Sequence, residues 1–202
     1  MKRTLLMTAS ICSLFFIACN KNDELQLANH DSDQMMSLMH KMMSRMDSLP
    51  KTNDPEIDFS KMMIIHHQGA IDMANLELQQ GKNDSLKRTA QKIINEQQAE
   101  IQQFNTLLAS LSVDNSDPSF TMEQKENMTK GGKQADIQLI TGDIDNDFAT
   151  LMTVHHQGAI DNASAYLHHG NNAQLKTMAN NIVTSQVKEI DELADWLKAN
   201  KR

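Results

Sequence analysis

The heptapeptide HHQGAID occurs twice in this chain, at His66–Asp72 and at His155–Asp161, 89 residues apart. The same offset aligns the surroundings without a gap. Of the 51 residues in 58–108, 22 recur identically in 147–197, where chance gives roughly three. A duplicated unit folds the same way twice. Neither copy can bury its apolar face alone, so the two copies are expected to pack on each other.

Each copy reads as a helical hairpin. The first motif helix is expected over 58–80, ended by Gly81 at a C′ position. The next helix, capped by Asp84 or Ser85, carries the stripe Leu86, Ala90, Ile93, Ile94, Gln97, Ile101, Phe104 and Leu108. The second copy repeats this over 147–169, ended by Gly170, and over 172–198. A helix precedes each hairpin: 33–49, broken by Pro50 and Pro55, and one opened by Thr121 with Gln124 as a capping box. No strand pattern is evident. The expected fold is all-α, a helical bundle of two tandem hairpin repeats, each preceded by an extra helix. Its parts are a first repeat at 33–111, a linker at 112–119 and a second repeat at 120–202.

Helical phase puts the first histidine of each pair inside. With His66 at zero, Phe59, Met62, Met63, Ala70 and Met73 all fall within about 60° of it at 100° per residue. His155 is flanked likewise by Phe148, Met152 and Ala159, and His67 and His156 sit on the border of the stripe. A core-facing imidazole needs a partner or it costs free energy. Gln97 and Gln186 stand mid-stripe on the following helices, with Glu100 and Glu189 at the stripe's edge. These can ligate a metal or fix a histidine tautomer. The alternative is a core histidine satisfied by a carboxylate or carbonyl. Asp72 and Asp161 point the other way, toward capping or surface lysines, and Gly69 and Gly158 suit a close helix approach beside the histidines.

The start of the chain reads as an address. Lys2 and Arg3 precede the apolar run 5–18, which is too short for a flanked membrane span. Its end, Phe16 to Cys19, resembles a bacterial lipobox, which implies a signal peptide at 1–18, lipidation of Cys19 and a polar tether at 19–32. The expected location is the bacterial cell envelope, anchored by lipid and facing the periplasm or cell surface. Cys12 leaves with the signal, so no thiolate remains as a metal ligand. The net charge of −7 becomes −9 without Lys2 and Arg3, which disfavours nucleic acid as a partner.

Methionine is abundant, with 15 in the chain. Met35, Met36, Met39, His40, Met42, Met43 and Met46 crowd one helix. Thioethers and imidazoles suit Cu(I), although methionine also fills core gaps. Met35, Met39, Met42 and Met46 fit a core stripe, whereas Met36, His40 and Met43 spread off it. This helix is a candidate second copper site.

The pattern Phe-x3-Met-x2-His-His-Gln-Gly-Ala-Ile-Asp, followed by Leu-x3-Ala-x2-Ile-x3-Gln-x2-Glu-Ile, spans 59–101 and again 148–190. In both copies it resembles the bacterial family known as domain of unknown function 305. The resemblance implies a ferritin-like helical bundle, export, and a metal site at the His-His pair. Some relatives are associated with copper handling.

The expected function is therefore an exported metal-binding lipoprotein, for copper or another divalent transition metal, acting in buffering or resistance. Its candidate ligands are His66, His67, His155, His156, Met63, Met152, Glu100, Glu189, Gln97 and Gln186. A ferritin-like di-metal oxidoreductase is the enzymatic alternative. Such enzymes use Glu-x-x-His on two helices, and this sequence contains none. A non-metal helical adaptor of the envelope is the third reading.

Overall fold

A computed structural model of the chain describes residues 30–201. The expected signal peptide and Cys19 lie outside them. After a 3-10 turn at His30–Ser32 come six helices: α1 (Gln34–Asp47), α2 (Pro55–Gln80), α3 (Asp84–Leu108), α4 (Pro118–Asp136), α5 (Ile144–His169) and α6 (Ala173–Ala199). No strand occurs among the described residues, and the fold is all-α as expected. None of these helices is long and apolar enough to cross a membrane.

The 89-residue offset reaches further than the identities do. It maps both ends of α2 onto α5, the start of α3 onto α6 and the end of α1 onto α4. It also maps the caps. Asp54 accepts from the backbone of Glu56 and Ile57 at the head of α2, and Asp143 does the same for Asn146 at the head of α5. Asn83 and Asn172 cap α3 and α6. In the turns ahead of the motif helices, Asn53 (φ 61°) and Gly142 (φ 75°) hold equivalent left-handed positions. Buried Asp58 gathers Thr52 and Asn53, and buried Asp147 gathers Thr141 and Gly142, through matching hydrogen bonds of 2.7–3.1 Å.

α2 and α5 lie at the centre. Each packs on its hairpin partner, on the other, and on the helix that precedes it in its own repeat. The packing pattern is unchanged when α1, α2, α3 are exchanged for α4, α5, α6, as a two-fold between the repeats requires. The chain ends tie the halves together reciprocally. Glu56, at the head of α2, accepts from the backbone N–H groups of Asn171 and Asn172 after α5. Asp145, its equivalent on α5, accepts from Lys82 and Asn83 after α2, at 2.9 and 3.0 Å. The core beneath is methionine, alanine, isoleucine, leucine and a few aromatics, with Phe59 stacked on Tyr166 at 4.4 Å and edge-on to Phe104 at 5.7 Å. Each such large side chain contributes roughly 1.5–3 kcal/mol by leaving water.

Local expectations need correction at the helix ends. The motif helices start three residues earlier than 58 and 147, at Pro55, whose missing N–H costs nothing in a first turn, and at Ile144; Asp54 and Asp143 cap them. Asn83, not Asp84 or Ser85, caps α3. Asp117 caps α4, so Thr121 and Gln124 lie inside the helix and Gln124 is buried. Gly81 and Gly170 have φ of −61° and −72°, outside the left-handed region. Glycine is needed there for space: a Cβ would collide with the Glu77 carboxylate in one case and the Tyr166 ring in the other.

Candidate metal centre

The crossing of α2 and α5 brings His66 and His155 face to face, with ring centroids 3.7 Å apart and planes tilted by 40°. His155 Nε2 lies 3.0 Å from the backbone oxygen of His66. A carbonyl can only accept, so Nε2 carries the hydrogen and Nδ1 keeps its lone pair. That Nδ1 is buried and has no hydrogen-bond partner, and His66 Nδ1 is in the same condition. Burial holds both imidazoles well below the ordinary histidine range. The nearby rings add to this: His67 and His156 act on His66, and His66 and His156 on His155. Both are neutral at pH 7, the form that ligates metals.

The second histidine of each pair turns toward its hairpin partner. His67 Nε2 is 2.7 Å from Glu100 on α3, and His156 Nε2 is 3.0 Å from Glu189 on α6. Each carboxylate lies off the ring's N–H axis, so these are close polar contacts rather than aligned hydrogen bonds. Burial would raise Glu189, but His156, Glu96 and Lys92 outweigh it and hold the carboxyl below its usual range. Gln97 and Gln186 are buried mid-helix with each Oε1 unpartnered.

Methionines of α1 lie beside the facing rings. A cavity of about 30 Å³ is bounded by His66 and His155 and by Met39, Met42, Met43 and Met46 of α1. Residues of the two sites expected separately, a histidine site and a methionine site, thus line one cavity. Met128 of α4 joins them, a residue the sequence reading passed over although the 89-residue offset sets it on Met39. Gly131, Gly132 and Gly158 form the remaining wall, where Gly131 and Gly132 stand at the positions of Met42 and Met43. Asn162 also borders the cavity, buried, with Oδ1 unpartnered. Neutral imidazole nitrogens and an amide oxygen without partners, beside thioethers, form a donor set that fits a soft cation.

Other expected ligands fall elsewhere. Met63, Met152, Met35 and Met36 are fully buried in the core but do not border the cavity. His40 is exposed at the rim, 2.9 Å from Asp136. Asp161 pairs with Lys130 at 2.7 Å, the surface-lysine role expected of it, whereas Asp72 accepts from Gln68 within its own helix. His169 bonds Asp117 and Glu123 through its two ring nitrogens, at 2.8 and 3.0 Å. Those bonds, Asp117 foremost, raise its pKa and make it a structural cation at the end of α5. Among the described residues, no three His, Cys, Asp or Glu side chains are grouped to hold a metal ion.

The sequence profile of the domain of unknown function (DUF305) matches residues 18–108 and, overlapping, 56–197. The chain belongs to the DUF305 family. The two overlapping matches fit tandem DUF305 copies. Among solved structures, CopM in a silver-bound form is 27% identical, with a TM-score of 0.56 over 73% of this chain and 97% of that one. CopM in the Cu(I)-bound form is 26% identical, with a TM-score of 0.54 over 73% and 98%. A DUF305 protein from Streptomyces coelicolor shares the fold at 24% identity, with a TM-score of 0.57 over 74% and 95%. No curated protein matches the chain at a significant level.

Proposed function

We propose that this DUF305 protein binds copper as Cu(I) at a single buried centre between its two repeats, and serves as a copper buffer or resistance factor of the bacterial envelope. The observation that carries the reading is the convergence of α1 thioethers on two facing imidazoles whose Nδ1 atoms are neutral and unpartnered. His66 and His155 would supply nitrogen, and Met39, Met42 and Met46 sulfur. His67 with Glu100 and His156 with Glu189 would steady the helices that carry them. Similarity to CopM, crystallised with Cu(I), Cu(II) and silver, supports the choice of metal. Two thioethers or more beside neutral imidazole favour a soft monovalent ion over a hard divalent one. The lipobox-like segment ending at Cys19 supports export and lipid anchoring, which puts the centre outside the reducing cytoplasm.

Competition titration of the purified protein with Cu(I) against a coloured chelator tests this. One tight equivalent per chain is expected, lost in His66→Ala/His155→Ala and retained in His67→Gln/His156→Gln. Equal titration curves for wild type and the first variant would remove the centre and favour the adaptor reading.

A further inference from the structure

The structure assigns a second feature to the space between α1 and α4: we propose that it is a loading port, and a weaker binding station of its own, for the soft monovalent cation bound beneath. The inference rests on the copper reading above. A cleft of about 370 Å³ opens at the surface, with His40 and Asp136 at its rim. It shares Met43, Met46, Met128 and Gly132 with the buried cavity, so the two spaces have a common wall.

The sulfurs along that wall are graded. Met43 and Met128 are half-buried, Met46 and Met42 are buried, and the imidazoles lie beyond. A cation leaving water must replace its hydration shell, and a succession of thioethers does so in steps for a soft ion while giving a hard one little. Methionine as mere core filler would not need to sit at a half-exposed rim. Gly132 is the second observation. A Cβ there would collide with Met43 Cε, so the glycine lets the Met43 thioether lie against α4 instead of being turned out to solvent. Glycine inside a helix costs up to about 1 kcal/mol, and α4 carries two in succession at this wall.

The test is the rate of Cu(I) transfer from a coloured chelate, followed by stopped flow, together with equilibrium stoichiometry. Met43→Leu/Met128→Leu keeps volume and removes both rim sulfurs. Loading should slow at least tenfold and the weak class of site should vanish; because Met43 and Met128 also line the tight centre, the control is stoichiometry, and one tight equivalent should still be taken up at equilibrium. His66→Ala/His155→Ala should do the reverse, keeping the weak class and losing the tight one. Gly132→Leu, which blocks the port from the other helix, should slow loading with no loss of melting temperature. Wild-type loading in the double leucine variant overturns the port. Loss of the tight equivalent also overturns it, since Met43 and Met128 would then be ligands the centre cannot do without. Absence of any Cu(I) uptake by the wild type would instead sink the copper reading.

Discussion

In the first repeat, Met42 of α1 lies so close to the motif glycine of α2 that a Cβ on Gly69 would collide with its Sδ and lie 2.6 Å from its Cγ. In the second repeat the position of Met42 is taken by Gly131, a Cβ on Gly158 would meet only His66 Nε2 at 3.5 Å, and a cavity occupies the space. Backbone and motif are the same in both halves. One half is closed by bulk and the other is left open by its absence. On the proposed reading a duplicated binding motif need not give two binding sites: the copies would cooperate in one, with imidazole from both and sulfur mainly from the helix preceding the first.

The largest expected effect follows from closing the open half. Gly131→Leu copies the bulk of Met42 without its sulfur and should improve helix propensity. It leaves every proposed ligand in place, yet Cu(I) affinity in competition titration should fall at least 100-fold, about 2.7 kcal/mol. Next come the motif glycines themselves. Gly69→Ala should destabilise by overpacking against Met42, whereas Gly158→Ala should be neutral or stabilising. Urea midpoints of the two variants should differ by the equivalent of about 1–3 kcal/mol, and equal midpoints would mean that the halves are packed alike.

A third difference concerns protons. Glu77 on α2 stands where α5 has Tyr166. Burial and the adjacent Asp145 raise its carboxyl from 4.5 to about 8. A raised folded-state pKa favours the protonated native state. Its contribution is present below pH 4.5 and lost as pH rises through 8. Glu77→Gln should therefore raise the melting temperature at pH 8.5, by about 2–4 °C, and change it little at pH 4.5. The smallest effect belongs to His169, which stands where α2 has Gln80. Its pKa is raised by Asp117 and Glu123, so its stabilisation is present below 6.5 and fades as pH climbs past the raised value. His169→Gln should lower the melting temperature slightly at pH 5.5 and not at pH 9; the group is solvent-screened, so about a degree is expected.

These asymmetries mark what could be read from the sequence and what could not. Periodicity and the 89-residue offset carry the six helices and the inward phase of His66 and His155, because burial of an apolar stripe is a local pattern. The border position of His67 and His156 allows a turn toward a neighbouring helix, but it names neither Glu100 nor Glu189 as the partner, and both imidazoles are fully buried. Which methionines meet the histidines is a matter of how α1 lies across α2 and α5, and no periodicity within one helix contains that. By spacing alone Met63 and Met152, four residues from His67 and His156, are as good candidates as Met39 or Met42, and only the crossing separates them. Carrying the offset back through α1 and α4 would have paired Met39 with Met128 and set Gly131 and Gly132 against Met42 and Met43. The identities there are too few to prompt that alignment, limited to Met39 with Met128, Lys41 with Lys130 and Asp47 with Asp136 along α1.

The central claim is that one buried centre takes nitrogen from both repeats and sulfur from α1. X-ray absorption at the copper K edge, on protein loaded with one equivalent of Cu(I), addresses it most directly. The account predicts a first shell of both nitrogen and sulfur, with the sulfur lost in Met39→Leu/Met42→Leu/Met46→Leu and the nitrogen lost in His66→Ala/His155→Ala. A shell of nitrogen and oxygen alone, or a sulfur signal untouched by the methionine variant, would contradict it.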